Sequence, residues 1–366
     1  MRIGIITMHK VLNCGSALQA YALQRKLCEM GYESEIIDYK YEDKSSTITP
    51  LGRIIGFIRN LLFGFPVTRM KCKFKAFYKR NYVMTERGYD RESIMKEPPQ
   101  YDLYIVGSDQ VWNPRFIGDD VNFMLAFTAP DAWKISYASS IAAGTIDKGM
   151  KELYSRYLSR FRSISVRERS GVEIIKELTG KDATVCCDPT LLLGQDAWDS
   201  LAAQSKYKAG EKYILVYALS YMFDPFPQIY GIVDKVQKAL GMKVVFLQGR
   251  AKDAFRPGSK LIKSAGPADF AFLFKHAGFV ITTSFHGATF ALINDKPLLG
   301  VVDTHSGKDS RIQSLLESVS AGNSIVDYRD SVDLDSSALL KLKGSREALA
   351  KLVEDSTLYL KNSLQS

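Results

Sequence analysis

The sequence predicts an α/β protein of two Rossmann-like domains facing a cleft. Three observations predict it. Short β-branched runs alternate with helical patterns along nearly all 366 residues, the signature of parallel sheets with crossover helices. The strand series occurs twice, with a pause between the two. The length, with 46% hydrophobic residues, is enough to bury two cores.

The first series opens with an apolar strand at 2–7, followed by a helix at 16–30. Ser16 is a plausible N-cap for that helix, and Gly31 supplies the left-handed residue that closes it. Strands at 35–39, 101–106, 134–139, 163–167 and 183–187 complete a first domain over 1–195. Between Gly194 and Gly210 the strand signals pause in a polar, glycine-bounded segment, which marks the boundary. The second series places strands at 213–218, 243–248, 278–283 and 297–302, with helices at 226–240, 267–277 and 286–294, in a domain over 210–335. The remainder, 336–366, carries a helical tail at 337–360 expected to pack back on the first domain.

An insertion at 44–99 breaks this rhythm and is assigned to the first domain. Of the net charge of +9, eight units come from Arg53, Arg59, Arg69, Lys71, Lys73, Lys75, Lys79 and Arg80, in a stretch without an acid. Such a block suits a surface for anionic lipid, a phosphorylated acceptor or nucleic acid, or else a solvated basic face. Leu51, Ile54, Ile55, Ile58, Leu61 and Leu62 recur at helical spacing, which reads as an interfacial helix followed by a basic block drawn to anionic lipid, with membrane contact through 51–80, or as a helical flap packed on the domain. Gly52, Gly56 and Gly64 weaken an isolated helix there. Bases and aromatics interleave over 73–80, but an amphipathic helix shows the same pattern, and no nucleic acid is expected as a partner.

Cys14, Cys28, Cys72, Cys186 and Cys187 form no CxxC pair, and their odd number suits free thiols in a reducing compartment. No secretory leader precedes the first strand, and no run reaches about eighteen apolar residues. The expected location is the cytoplasm, with peripheral contact at the inner face of the membrane.

Ligands in open α/β sheets bind beyond the carboxyl ends of strands, and four such places carry chemistry. After the first strand, Asn13, Cys14, Gly15 and Ser16 open a helix whose N–H groups offer themselves to an anion, although one glycine is also an ordinary turn residue. After the third strand, Asp109 and Gln110 are placed to accept sugar hydroxyls and Trp112 to stack on a sugar face; the alternative is a turn carboxylate and a core tryptophan. Arg167 and Arg169 stand at a strand end, where a guanidinium can take a carboxylate or phosphate in a bidentate fork, or join a surface network with Glu168. Sharpest is His286, delivered by the strand at 278–283 with Ser284 and Gly287 beside it, since imidazole best moves protons near neutrality. His9 and His276 sit in less favourable places, while His305 can reach the same mouth. No cluster has metal-ligand spacing, Asp303 and His305 forming only a loose pair, and no nucleophile elbow supports a serine triad.

Taken together and in order, these segments resemble the polysaccharide pyruvyl transferase family. The likeness runs from Asn13, Gly15, Ser16, Ala17, Leu18 and Gln19 through the segment 107–113 and Ser165, Val166, Arg167 and Glu168. It continues through Asp188, Pro189 and Thr190 to Ser284, Phe285, His286 and Gly287. Cys14 departs from the aromatic expected there.

The resemblance implies a glycosyltransferase-B-like architecture and an enzyme that moves the pyruvyl group of phosphoenolpyruvate onto two hydroxyls of one sugar, forming a ketal. The acceptor is implied to be a polysaccharide or oligosaccharide, lipid-linked or not, and no cofactor or metal is implied. On this pattern His286 and Asp109 are catalytic, and Arg167, Arg169, Ser284 and Gly287 hold the donor, the second domain being the donor side. Asn13, Gly15, Ser16, Gln110 and Trp112 hold the acceptor on the first. Two rivals share the frame: a nucleotide-sugar glycosyltransferase, against which the helix after His286 carries no glutamate for a ribose, and a non-catalytic glycan-binding relative.

Overall fold

A computed structural model describes residues 1–42, 61, 64–220, 222–305 and 311–365. The chain divides into two compact units.

The first unit comprises 1–55, 78–193 and 352–366. Its parallel sheet has the order β2, β1, β3, β4, formed by Glu33–Ile36, Arg2–Ile6, Leu103–Val106 and Lys134–Ser136. A short parallel pair, β5 (Ser165–Val166) and β6 (Thr184–Val185), continues past β4 through single bridges. β3 is buried at every position, as a strand covered on both faces must be. Several strands are shorter than their apolar runs suggested. The run after β4 ends because Ala138 takes a left-handed φ of 49°, which turns the chain out of the ladder.

Helix α1 (Cys14–Glu29) follows β1, and its cap corrects the expectation. Asn13, not Ser16, caps it, its side chain accepting from the Gly15 and Ser16 N–H groups at 2.8 and 3.3 Å. Gly31 then leaves the helix at φ 86°, a conformation that costs glycine nothing.

The second unit comprises 56–77 and 194–351. Its six-stranded parallel sheet has the order β12, β11, β10, β7, β8, β9. The inner strands β7 (Tyr213–Tyr217), β8 (Lys243–Leu247), β10 (Phe279–Thr282) and β11 (Leu298–Val302) match apolar runs in the sequence. The edge strands β9 (Ser259–Ile262) and β12 (Ile325–Asp327) have no such run, because each is covered only in part.

Two segments cross this division. Of the insertion, 56–77 groups with the second unit rather than the first, for a visible reason in helix α2 (Pro66–Asn81). Lys73 donates to Asp269 at 2.7 Å, lies over the Tyr207 ring, and packs so closely on Gly266 that a Cβ there would stand 2.6 Å from its own. The helical spacing over 51–60 lies outside the described residues. The tail helix α3 (Arg346–Gln365) has its residues from Leu352 onward in the first unit, where Ser356 Oγ accepts the Cys187 N–H at 2.9 Å and Tyr359 donates to the Ser136 carbonyl. No described helix is long and apolar enough to cross a membrane.

Candidate functional site

In the first unit, the carboxyl ends of β1, β3 and β5 bring several of the expected residues into one buried polar cluster. Asp109 follows β3 at φ 72°, a backbone state rare outside glycine. That turn sets its carboxylate against Ser16, whose hydroxyl donates to Oδ2, while its own next N–H, that of Gln110, donates to Oδ1 at 3.0 Å. Arg167 stands behind, its guanidinium 3.9 Å from Asp109 and 3.0 Å from Asp188. Asp188 is further fixed by Ser108 at 3.0 Å and by the Thr190 hydroxyl at 2.7 Å. A buried carboxylate so surrounded is satisfied as an anion, which is what burial of charge requires.

Some expected roles change on this geometry. Trp112 is fully buried, its indole donating to the Phe123 carbonyl at 2.9 Å and its ring edge-on to Phe161, so it fills core and is no sugar platform. The Gln110 carbonyl is engaged by the Asn113 amide. Asn13 turns inward as a cap, so the Gly15 and Ser16 N–H groups are already used and do not form an open anion cradle. Of the two arginines, Arg167 is buried against two carboxylates, whereas Arg169 is exposed at the start of helix α4 (Arg169–Thr179).

The sequence assigns no role to Asp188, and it reads Glu168 only as part of a surface network, whereas the structure buries it. Glu168 is 1% exposed, and its Oε1 accepts from Ser140 Oγ and from the Ile141 and Ala142 N–H groups, holding the loop beyond β4. The signal available for Asp188 was an acid followed by proline at a strand end, where a proline cannot extend the ladder and the carboxylate caps the turn.

In the second unit, helix α5 (Phe285–Ile293) starts beyond the carboxyl end of β10. Ser284 caps it, its hydroxyl accepting the Gly287 N–H at 3.4 Å, and His286 lies in the first turn, 7% exposed and edge-on to Phe285. Gly287 serves packing: a Cβ there would stand 2.2 Å from Thr282 Oγ1, so glycine is what lets the helix start lie on the strand end. The first turn of a helix favours negative charge, and an imidazole held there can meet an anion and exchange a proton with it.

The carboxyl ends of β11 and β12 carry Asp303, His305 and Asp327, whose ligand atoms lie within 4.8 Å of one another. Arg329 already supplies a cation there, its Nε and Nη2 donating to Asp327 at 2.8 and 2.9 Å and Nη2 also to Asp303 at 2.8 Å. That fork holds the Asp327 carboxyl far below the usual carboxylate range. The cluster is a guanidinium site as it stands.

A family model described as polysaccharide pyruvyl transferase matches residues 13–306. No curated protein matches the chain. Among solved structures, the UDP-GlcNAc 2-epimerase of Methanocaldococcus jannaschii superposes with a TM-score of 0.54 at 13% identity, over 97% of this chain and 92% of that one. The UDP-N-acetylglucosamine 2-epimerase of Rickettsia bellii gives 0.54 at 10% identity, over 100% and 95%. That of Neisseria meningitidis, bound to UDP-GlcNAc, gives 0.52 at 12%, over 99% and 94%. At such identities the likeness shows the fold, two Rossmann-like domains of the glycosyltransferase-B type, and leaves chemistry to the site.

Proposed function

Because this chain belongs to the polysaccharide pyruvyl transferase family, we propose that it transfers the pyruvyl group of phosphoenolpyruvate to two hydroxyls of one sugar in a glycan. The observation that carries this reading is the placement of His286 in the first turn of α5, beyond a central strand, where an anion and a proton-transferring group are wanted together.

The chemistry balances without a cofactor. A proton added to the methylene carbon of phosphoenolpyruvate makes it a methyl group and leaves a cationic C2. One sugar hydroxyl attacks C2 and gives up its proton; phosphate then departs with the C2–O bonding pair. The second hydroxyl adds to the same carbon and closes the ketal. Of the two hydroxyl protons, one replaces that spent on the methyl group and the other leaves with phosphate.

His286 is assigned the proton transfer at the donor, and the Ser284–Gly287 turn brings the helix start to it. Arg169, exposed on its helix, is assigned to an anionic group of the donor. Arg167 holds Asp109 and Asp188 in register, and Asp109, with Ser16 donating to it, is assigned as base toward an acceptor hydroxyl. The described part of the basic insertion supports a lipid-linked acceptor. Phe65 and Val67 are 45% and 42% exposed beside exposed Arg69, Lys71 and Lys75, a pairing suited to anionic headgroups. Co-sedimentation with phosphatidylglycerol vesicles, absent with phosphatidylcholine alone, tests that contact.

Calorimetric titration of phosphoenolpyruvate into the wild type and into His286→Ala and Arg169→Ala variants, each checked for folding, tests the reaction class. Saturable binding, lost or weakened at least tenfold in the variants, supports pyruvyl transfer. Heat from UDP and none from phosphoenolpyruvate overturns it in favour of a nucleotide-sugar enzyme.

A further inference from the structure

Beyond the carboxyl ends of β1 and β2, the first unit contains a cavity of about 360 Å³ lined by none of the residues assigned above. Its size falls within the roughly 300–1,000 Å³ of small-ligand sites, and it lies beyond the carboxyl ends of parallel strands, the side of such a sheet on which ligands bind.

The cavity is organised about one carboxylate. His9, 1% exposed, contacts the Thr7 carbonyl through Nδ1 at 3.0 Å and Asp38 Oδ1 through Nε2 at 3.2 Å. Lys10 donates to the other Asp38 oxygen at 2.5 Å. The hydrogen bond from His9, then that from Lys10, hold the Asp38 carboxyl down at about 2 against the opposing effect of burial. Asp38 keeps part of its surface at the cavity, with a side chain 22% exposed. Around it stand Tyr39, Tyr41 and Tyr89. Tyr39 and Tyr41 are fixed edge-on to Phe123 at 5.5 and 5.4 Å, and Tyr39 is anchored by hydrogen bonds to Asp120 and Asn122. Gly88 faces Asp38 directly, a Cβ there coming into van der Waals contact with Oδ2 at 3.6 Å.

The charges lining this cavity balance: Lys10 and Lys40 against Asp38 and Asp90. A site for phosphoenolpyruvate needs a cationic excess, and this one has none once Lys10 is paired. A preorganised carboxylate beside aromatic rings fits a neutral polyol with apolar ring faces, the carboxylate accepting hydroxyls and the rings covering C–H groups. We propose that this cavity is the acceptor subsite and takes one pyranose of the glycan, with Asp38 receiving its hydroxyls and Tyr41 and Tyr89 lining it. His9 is a positioning residue that acts through Asp38. The inference rests on the acceptor being a glycan, and it moves acceptor recognition from Gln110 and Trp112 to the mouth of β1 and β2.

Saturation-transfer NMR with the methyl pyranosides of galactose, glucose, mannose and N-acetylmannosamine tests it on the whole protein, with phosphoenolpyruvate titrated in a separate arm. At least one pyranoside is expected to bind the wild type. Its affinity should fall about tenfold or more in Asp38→Asn, where a charge-assisted hydrogen bond is lost, and in Gly88→Phe, where the cavity is filled. His9→Ala should lose the same affinity and His9→Gln, which restores an N–H to Asp38, should regain it. Unchanged pyranoside binding in both Asp38→Asn and Gly88→Phe overturns the subsite, as does the absence of pyranoside binding to the wild type. Pyranoside binding that depends on these residues, in a protein indifferent to phosphoenolpyruvate, upholds the subsite while removing pyruvyl transfer.

Discussion

Arg167 and Asp188 form an ion pair at 3.0 Å with both side chains all but inaccessible to solvent. A buried pair contributes modestly against its desolvation, but removal of one member strands the other, at a cost of about 3–5 kcal/mol. Arg167→Met is therefore expected to lower the unfolding free energy by about 3 kcal/mol in a urea titration. Exposed Arg169→Ala should stay within about 0.5 kcal/mol of the wild type. The reverse order of the two variants would show that Arg167 is a ligand anchor and not a brace for the carboxylates.

Gly287→Ala isolates the contact that seats α5. Alanine is favoured over glycine inside a helix by about 1 kcal/mol, so a neutral site would gain stability. Here the new methyl meets Thr282 Oγ1 at 2.2 Å, and that hydroxyl is already donating to the Tyr217 carbonyl at 2.7 Å and accepting the Ser284 N–H at 3.0 Å. The clash should win, with a net loss of about 1–3 kcal/mol and a lower Tm in a thermal melt. A rise in Tm would mean that helix and strand end separate freely.

What was legible in the sequence divides along the same physical line. Strands covered on both faces, such as β3 and β10, announce themselves as unbroken apolar runs, and the ordered motifs carried the family. The Ser16, Asp109 and Arg167 cluster was foreseen as three separate places; that they meet depends on the left-handed turn at Asp109, which leaves no mark in composition. Trp112 misled because an aromatic after a strand is equally suited to a sugar face and to core, and only its 0% exposure decides. His9 carries no such signal because its partner, Asp38, lies beyond the end of the next strand, and a contact between neighbouring strand ends cannot be read from either residue alone.

The cysteines make a compact test of burial. Cys28 and Cys72 are exposed, Cys14 is buried, and burial pushes the Cys186 and Cys187 thiols up to about 12. Thiolate is the reactive form, so the adjacent pair should be inert at neutral pH despite its proximity. A chromogenic disulfide reagent at pH 8 should titrate two thiols in the native protein and all five in guanidinium. Rapid native reaction of a fourth thiol would mean that the Cys186–Cys187 segment opens under the tail helix, since only Cys14 could supply a third without it.

Asp38 gives the pH dependence. Its carboxyl is held at about 2 in the folded protein against 3.8 for the free side chain, chiefly by the His9 hydrogen bond. A depressed carboxyl stabilises the fold above the unfolded value, and that contribution is lost as pH falls through the folded one. The shift corresponds to at most about 2.5 kcal/mol, and partial exposure of the carboxylate reduces it to about 1 kcal/mol. In urea titrations from pH 6 to pH 2, Asp38→Asn should be less stable than wild type by about that amount above pH 4, with the gap closing below it. A gap independent of pH would show that Asn disrupts packing and that the His9–Asp38 bond contributes no charge-dependent stability.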